Sequence, residues 1–363
     1  MGGQTSPRAP KDPAVYKNSD LPIIDISPLA GGDETKKRQV AQALGDAACN
    51  VGFFYIAGHG VSGQLISAVH RQAASWFARP LAEKQRLYIG WSKNHRGYVP
   101  ASEQGFYSDE GARNYEAFDL SLDLDPADPD STPDKPLNGP NCWPDQSGFR
   151  RTIGQYYDAI SAVGGRLAQS FEAYFDAPDT LTSLMQKPTS QLRLLHYFET
   201  DPPEEADVMN MGAHTDYECF TILQQGGPGL EVMNRDGQWI AAPPIDGAFA
   251  VNIGDMLEVW SNGVFRSTPH RVIHNGTERY SFPYFAAADF DAMVKPLPHL
   301  VHQHGERHRP IHAGHHLLGQ LLRDFPYLRD RHQGGRLLDE LSTTGQNPFE
   351  VEKLKGSATA QAA

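Results

Sequence analysis

The spacing of apolar residues changes character twice along the chain. Residues 21–29, LPIIDISPL, form a short β-rich run broken by Pro28. From Thr35 and Lys36, KKRQVAQALGDAACN places Val40, Leu44 and Ala47/Ala48 at helical spacing. VGFFYIAGHG, residues 51–60, is β-branched and aromatic and is stopped by glycines, which predicts a buried strand. Ser62 is a candidate cap for a helix carrying Leu65, Ile66, Val69, Ala73 and Trp76 on one face. A loop-rich stretch follows, with GYVP at 97–100 and the acidic, proline-rich LDLDPADPDSTPDKP at 122–136. Over 149–175, Ile153, Tyr156/Tyr157, Ile160, Val163, Leu167, Phe171 and Tyr174 repeat at i, i+3/i+4, predicting a long amphipathic helix.

Near residue 191 the runs become short. QLRLLHYF, CFTILQQ, GLEVMN, QWIAAP, GAFAVNIG, MLEVWSN, HRVIHN and RYSFPYFAAA read as eight β-like segments, mostly separated by Gly, Asn, Asp or Pro. That spacing fits a sandwich or barrel. After Asp291 the helical pattern returns through 315–325 and 335–341. The expected class is α+β with a mainly β core. Its organisation is a disordered tail (1–20), a mainly helical segment (21–180), a β core (190–290), a second helical segment (291–350) and a tail (351–363). No internal repeat is visible.

Composition narrows the partners. The chain has 363 residues, 39% hydrophobic and 21% charged, an ordinary globular balance. With 32 Lys plus Arg against 44 Asp plus Glu, the formal charge is −12, which argues against holding nucleic acid. No apolar run reaches the roughly 20 residues that span a bilayer, so no membrane partner is expected. Residues 1–11 are polar and lack the apolar stretch of a signal peptide, although Met-Gly-Gly-Gln-Thr-Ser loosely matches a myristoylation pattern. Cys49, Cys142 and Cys219 are widely spaced with no CxxC pair, as expected of a cytoplasmic protein.

Chemistry concentrates in the β region. In Gly-Ala-His214-Thr-Asp216, residues two apart on an extended chain share a face, so His214 and Asp216 can converge on one ion. Alone the pair is weak, since 15 histidines produce about one such triplet by accident. Ser-Thr-Pro-His270 opens another predicted strand and adds a second imidazole. Two neutral imidazoles and one carboxylate leave three positions open on an octahedral ion, which suits Fe(II) in oxygen chemistry better than structural zinc. Downstream, Arg279-Tyr280-Ser281 puts a guanidinium and a hydroxyl on one strand face, a pairing suited to a carboxylate. The histidines between 299 and 316 read as a solvated connection plus a helix, Gly226-Gly227-Pro228-Gly229 as a β-turn, and Cys219 as a packed small residue.

These residues resemble the non-haem Fe(II)/2-oxoglutarate oxygenases of the isopenicillin N synthase-like family. The resemblance spans roughly 21–330 through LPIIDISPL, DAACNVGFFYIAGHGV, RGYVP, LRLLHYF, GAHTDYECFTILQQGGPGLEV and VNIGDMLEVWSNGVFRSTPHRV. It implies a double-stranded β-helix, or jelly roll, wrapped by helices. It also implies that His214, Asp216 and His270 bind Fe(II), that Arg279 and Ser281 hold the distal carboxylate of 2-oxoglutarate, and that Tyr197 adds a hydroxyl to it. Many relatives read Asn-Tyr-Tyr-Pro where this chain has Leu195-His196-Tyr197-Phe198, so the cosubstrate-assisting amide is missing.

The implied reaction uses O₂ and 2-oxoglutarate, yields succinate and CO₂, and oxidises a substrate C–H bond by hydroxylation, desaturation or cyclisation, with ascorbate as a candidate reductant. Two alternatives stay open: an iron oxidase of the same fold that does without 2-oxoglutarate, and a non-catalytic jelly-roll sensor. RGYVP resembles the family's substrate-facing loop. Arg96, Tyr98, Glu103, Tyr107, Phe220 and Phe285 are therefore the expected pocket lining, suited to a small polar or zwitterionic metabolite.

Overall fold

A computed structural model describes residues 21–101, 114–200 and 209–338. The N-terminal part carries β1 (Ile23–Asp25), α1 (Glu34–Asn50), β2 (Phe53–Ala57), α2 (Gly63–Phe77), α3 (Leu81–Lys84), β3 (Gly97–Val99), β4 (Tyr115–Ser121) and α4 (Phe149–Tyr174). Then follow β5 (Gln191–Tyr197), β6 (Met209–His214), β7 (Phe220–Gln225), β8 (Leu230–Met233), β9 (Trp239–Ala241), β10 (Ala248–Ile253), α5 (Asp255–Trp260), β11 (His270–Ile273) and β12 (Arg279–Ala286). β13 (Met293–Val294), α6 (Pro298–His304), β14 (Ile311–His312), α7 (Ala313–Asp324) and α8 (Pro326–Gln333) complete the described chain.

Local chemistry sets the helix starts. The Asp33 carboxylate accepts from the Thr35 and Lys36 amides ahead of α1, and Ser62 accepts from Leu65 N ahead of α2. Both caps satisfy donors that the first helical turn leaves open. The apolar stripe of α4, from Ile153 to Phe171, is buried against the β core.

Eight strands form one sheet in the order β1-β2-β10-β7-β12-β5-β4-β3, and β6-β11-β8-β9 form a second. The two sheets enclose a cavity between them, giving the jelly roll with its helical jacket. Residues paired across an antiparallel ladder share a face. One row of the large sheet is therefore Tyr115, Tyr197 and Arg279, another Leu195, Ser281 and Gln225, and a third Gln191, Phe285, Thr221 and Asn252. All three rows line the cavity along their length. The intervening residues face the helices. Phe220 packs edge-on against Phe171 of α4 at 5.6 Å, Tyr284 donates to Ser161 of α4 at 3.0 Å, and Phe282 lies 4.6 Å from His70 of α2.

Several elements differ from the pattern read in the sequence. MLEVW is a helix, α5, not a strand. Its opening amides at Gly254, Asp255 and Met256 bond to the carbonyls of Cys219, Asp216 and Glu218, so a neighbouring loop supplies what its first turn lacks. The loop-rich stretch contains β4, a fully buried strand whose charges are paired: Glu116 with Lys84 at 2.6 Å and Asp119 with Arg193 at 2.7 Å. GYV is strand β3 on the sheet edge rather than a loop. Residues 335–338 are turn and coil, and the helix expected there stands earlier as α8, while 339–341 lie outside the described residues. Among the described residues no helix is long and apolar enough to cross a membrane.

Candidate metal and cosubstrate site

His214 ends β6 and pairs across the ladder with His270, the first residue of β11. The two rings therefore arrive from adjacent antiparallel strands, with centroids 4.3 Å apart. Asp216 reaches them differently from the shared strand face expected. The strand stops at His214, and Asp216 lies in the loop that follows. Its Oδ1 stands 3.7 Å from His214 Nε2 and 3.5 Å from His270 Nε2, and one ligand atom from each residue lies within 4.8 Å of the others. Among the described residues this is the one such group of three or more His, Cys, Asp or Glu.

The surroundings orient each member. His214 Nδ1 lies 2.8 Å from the Gly212 carbonyl and His270 Nδ1 3.2 Å from that of Thr268. With Nδ1–H donating there, each Nε2 keeps its lone pair for the shared point. Asp216 Oδ2 accepts from Asn252 Nδ2 at 2.6 Å and from the Thr221 hydroxyl. Burial works against the Asp216 charge, but His270, His214 and the Asn252 amide outweigh it and hold the carboxyl well below its usual range. Burial and then the neighbouring His270 push His214 down to about 4, so its imidazole is neutral at pH 7. Asp255 braces both approaches: its carboxylate accepts from Ser267 Oγ at 2.6 Å and from Thr215 Oγ1 at 3.4 Å.

At the opposite end of the cavity, Arg279 is 6% exposed and its guanidinium lies 3.6 Å above the Tyr197 ring. Its Nε and Nη2 are buried with no hydrogen-bond partner. A buried cation with idle donors is costly unless an acceptor arrives, and a carboxylate matches the guanidinium fork. Ser281 lies one row further in, on the same face. Two glycines make room. A Cβ on Gly227 would come within 3.2 Å of Arg279 Cδ, and one on Gly229 within 3.5 Å of Nη2. The residues present thus fit a divalent ion and, beyond it, a ligand with a terminal carboxylate.

The expected substrate residues divide. Phe285 lines the cavity. Phe220 does not, because it sits one position out of step on β7 and points to α4. Tyr98 is 1% exposed on the helix-covered face and donates to Glu116 Oε2 at 2.6 Å, away from the cavity. Arg96 is also withdrawn, its guanidinium spent on the carbonyls of Asn94, His95 and Leu137. Glu103 and Tyr107 lie outside the described residues.

In their place the cavity, about 130 Å³, is lined near Asp216 by Gln191, Arg193, Tyr217, Glu218, Asp324 and Phe325. Arg193 is held by both oxygens of Asp119 at 2.7 Å. Burial, then the charge of Asp216, pushes the Glu218 carboxyl up to about 8. Gln191 and Arg193 were within reach of the sequence as the alternate residues of QLRLLHY. Glu218 carried no signal beyond its closeness to Asp216.

Residues 21–146 match the family described as the non-haem dioxygenase in morphine synthesis N-terminal domain, and residues 188–288 match the 2OG-Fe(II) oxygenase superfamily. The chain is 33% identical over 322 residues to a homoarginine-6-hydroxylase of Oryza sativa subsp. japonica, covering 84% of this chain and 97% of that one. It is 31% identical to the 2-oxoglutarate-dependent dioxygenase tropC of Talaromyces stipitatus, over 76% and 89% of the two chains. Among solved structures, a putative 2OG-Fe(II) oxygenase family protein from Caulobacter crescentus superposes with a TM-score of 0.74 at 28% identity, covering 84% of this chain and 98% of that one. A Neurospora crassa protein crystallised in complex with alpha-KG and thymine superposes at 0.71 with 26% identity, over 83% and 96% of the chains.

Proposed function

This chain belongs to the 2OG-Fe(II) oxygenase superfamily and is a 2-oxoglutarate-dependent dioxygenase of a small metabolite, and from that premise we propose how its residues divide the work. His214, Asp216 and His270 hold Fe(II), and Arg279 and Ser281 hold the distal carboxylate of 2-oxoglutarate. Tyr197 serves through its ring, which underlies the Arg279 guanidinium and fixes its plane. The observation that carries this reading is the pair of buried Arg279 N–H groups with no protein acceptor, in the same cavity as the three-ligand group.

When bound, Fe(II) with 2-oxoglutarate and O₂ supplies the oxidation of a substrate C–H bond, with succinate and CO₂ as co-products. The chain's own share is geometric. The Nδ1 hydrogen bonds set which nitrogen faces the ion, and Asn252 and Thr221 hold one Asp216 oxygen so that the other is presented. Met211, Leu223, Leu230 and Val272 form an apolar wall that keeps water from the reacting centre. Hydroxylation is the default outcome, and desaturation or cyclisation would use the same groups.

We infer a polar or zwitterionic substrate, because Gln191, Arg193, Glu218 and Asp324 face the space beside Asp216. That one relative is named for homoarginine and another was crystallised with thymine, both polar, supports it. The three cysteines, none of them in a disulfide, support a cytoplasmic location.

The test is succinate release by the Fe(II)-loaded protein given 2-oxoglutarate. Arg279→Lys, which replaces the fork by a point charge, is expected to raise the 2-oxoglutarate KM about tenfold or more while leaving Fe(II) affinity within about twofold. Oxygen uptake that continues at the same rate without 2-oxoglutarate would hand the site to the oxidase reading instead.

A further inference from the structure

The end of the cavity beside Asp216 contains two polar groups that the proposed iron and cosubstrate chemistry leaves unused. The first is the Gln191 amide. Gln191 is 8% exposed, lines the cavity, and its Nε2 is buried with no hydrogen-bond partner. It shares a row with Thr221, the residue whose hydroxyl bonds Asp216. Leaving a buried amide donor unmet is costly, so a ligand acceptor there would recover that penalty.

The second is the Glu218 carboxyl, 5% exposed and lining the same cavity. Its backbone is fixed. The Glu218 carbonyl accepts from Met256 N at 3.1 Å, and the next residue, Cys219, donates to Ala286 O at 2.8 Å and accepts from Gly254 N at 2.8 Å. Gly254 approaches so closely that a Cβ there would stand 2.3 Å from the Glu218 carbonyl oxygen. The side chain is thus aimed by a clamped main chain rather than hanging from a mobile loop. The nearest cation on the cavity wall, Arg193, already gives two hydrogen bonds to Asp119.

We propose that Glu218 and Gln191 read the substrate as a pair. The Glu218 carboxyl pairs with a cationic nitrogen, an amine or guanidinium, whose charge keeps it ionised in the complex, and the Gln191 amide donates to a carboxyl or carbonyl oxygen of the same molecule. Phe285, Leu321 and Phe325, on the same walls, supply apolar surface for the carbon chain between those two polar groups. Buried carboxylates are stabilised by direct pairing with a donor cation, and a neutral isostere would leave that carboxylate without one. The inference rests on the oxygenase reading above, since it assumes that the space beside Asp216 is where the substrate sits.

The experiment uses the full chain loaded with Mn(II) and 2-oxoglutarate under anaerobic conditions, with binding followed by calorimetry. The probes are matched pairs: L-arginine against L-citrulline, L-homoarginine against L-homocitrulline, and L-lysine against L-norleucine. At least one cation is expected to bind about tenfold or more tightly than its neutral partner. Glu218→Gln should erase that preference. Gln191→Leu should weaken both members of the pair alike, because their carboxyl ends are the same, and it decides the matter should Glu218→Gln fail to fold. Equal binding within every pair, no binding by any cation, or a preference that survives Glu218→Gln would overturn the proposal. Fe(II)-dependent succinate release from 2-oxoglutarate, measured separately, tells the two failures apart: if it persists, only the pairing is wrong, and if it is absent, the oxygenase reading falls with it.

Discussion

At the scale of single residues, the three-ligand group depends on side chains that never face the ion. Asn252 and Thr221 together occupy one oxygen of Asp216, leaving the other turned toward the two imidazoles. Asn252→Leu removes one of those donors and frees the carboxylate to rotate. A loss of roughly 10–100-fold in Fe(II) affinity is expected, readable by metal titration, with the melting temperature of the metal-free protein changed little by comparison. That His214, Asp216 and His270 gather, and that Arg279 and Ser281 line the same cavity, was legible from the i, i+2 spacing of His-x-Asp and Arg-x-Ser, while His270, 54 residues beyond Asp216, is brought in by the pairing of β6 with β11. The substrate residues were not legible in that way. Phe220 and Phe285 look alike on paper, and only the pairing of β7 with β12 reveals that one faces the cavity and the other the helices. Tyr98 and Arg96 misled for a related reason: the resemblance of RGYVP to a substrate-facing loop does not say which way each side chain turns, and here Glu116 takes up one and backbone carbonyls the other.

At the scale of elements, two of the departures from the sequence reading, α5 and β4, have a clear physical source. MLEVW is too short and too uniformly apolar for periodicity to separate strand from helix. β4 carries Glu116 and Asp119, which look like loop residues until Lys84 and Arg193 neutralise them. Because the amides opening α5 hold the loop that bears Asp216, Gly254→Ala should act on the metal site at a distance. Its added methyl collides with the Glu218 carbonyl, so Fe(II) affinity should fall by roughly fivefold or more, as measured by titration. A second element-level test concerns His95, which joins the start of β3 to α8 through Tyr327 and stacks edge-on with Phe325 at 4.6 Å. Burial, then the nearby charges of Arg193, Arg96 and Arg331, hold its imidazole well below its ordinary value of 6.5. The unfolded chain therefore binds the proton more readily. Stability from this group is fully present above about pH 6.5 and drains away as pH falls. His95→Asn, which tolerates the positive φ of 60° at this position, should lose less melting temperature between about pH 7.5 and pH 5 than the parent does.

At the scale of the whole molecule, the cavity is closed by parts distant in sequence: two sheets, and the end of α7 with Leu321, Asp324 and Phe325. Phe325 is 2% exposed and packs on His95 and Tyr327 as well as on the cavity. Phe325→Ala should cost about 3–5 kcal/mol of stability, measured by denaturant titration, and should also raise the fraction of 2-oxoglutarate consumed without substrate oxidation. The alternating rows of the large sheet carry a wider consequence. In β4, β5, β7 and β12 the cavity-lining residues all bear odd numbers, from Tyr115 and Gln191 to Gln225 and Phe285, and the even ones between them meet the helices. The strands thus hold two interleaved messages on alternate letters, one specifying chemistry and one specifying cohesion. Evolution can rewrite the odd letters to change what is oxidised without spelling out a new fold. A single inserted residue in β12 would transpose the two messages beyond the insertion, and the protein would lose its reaction and its packing together.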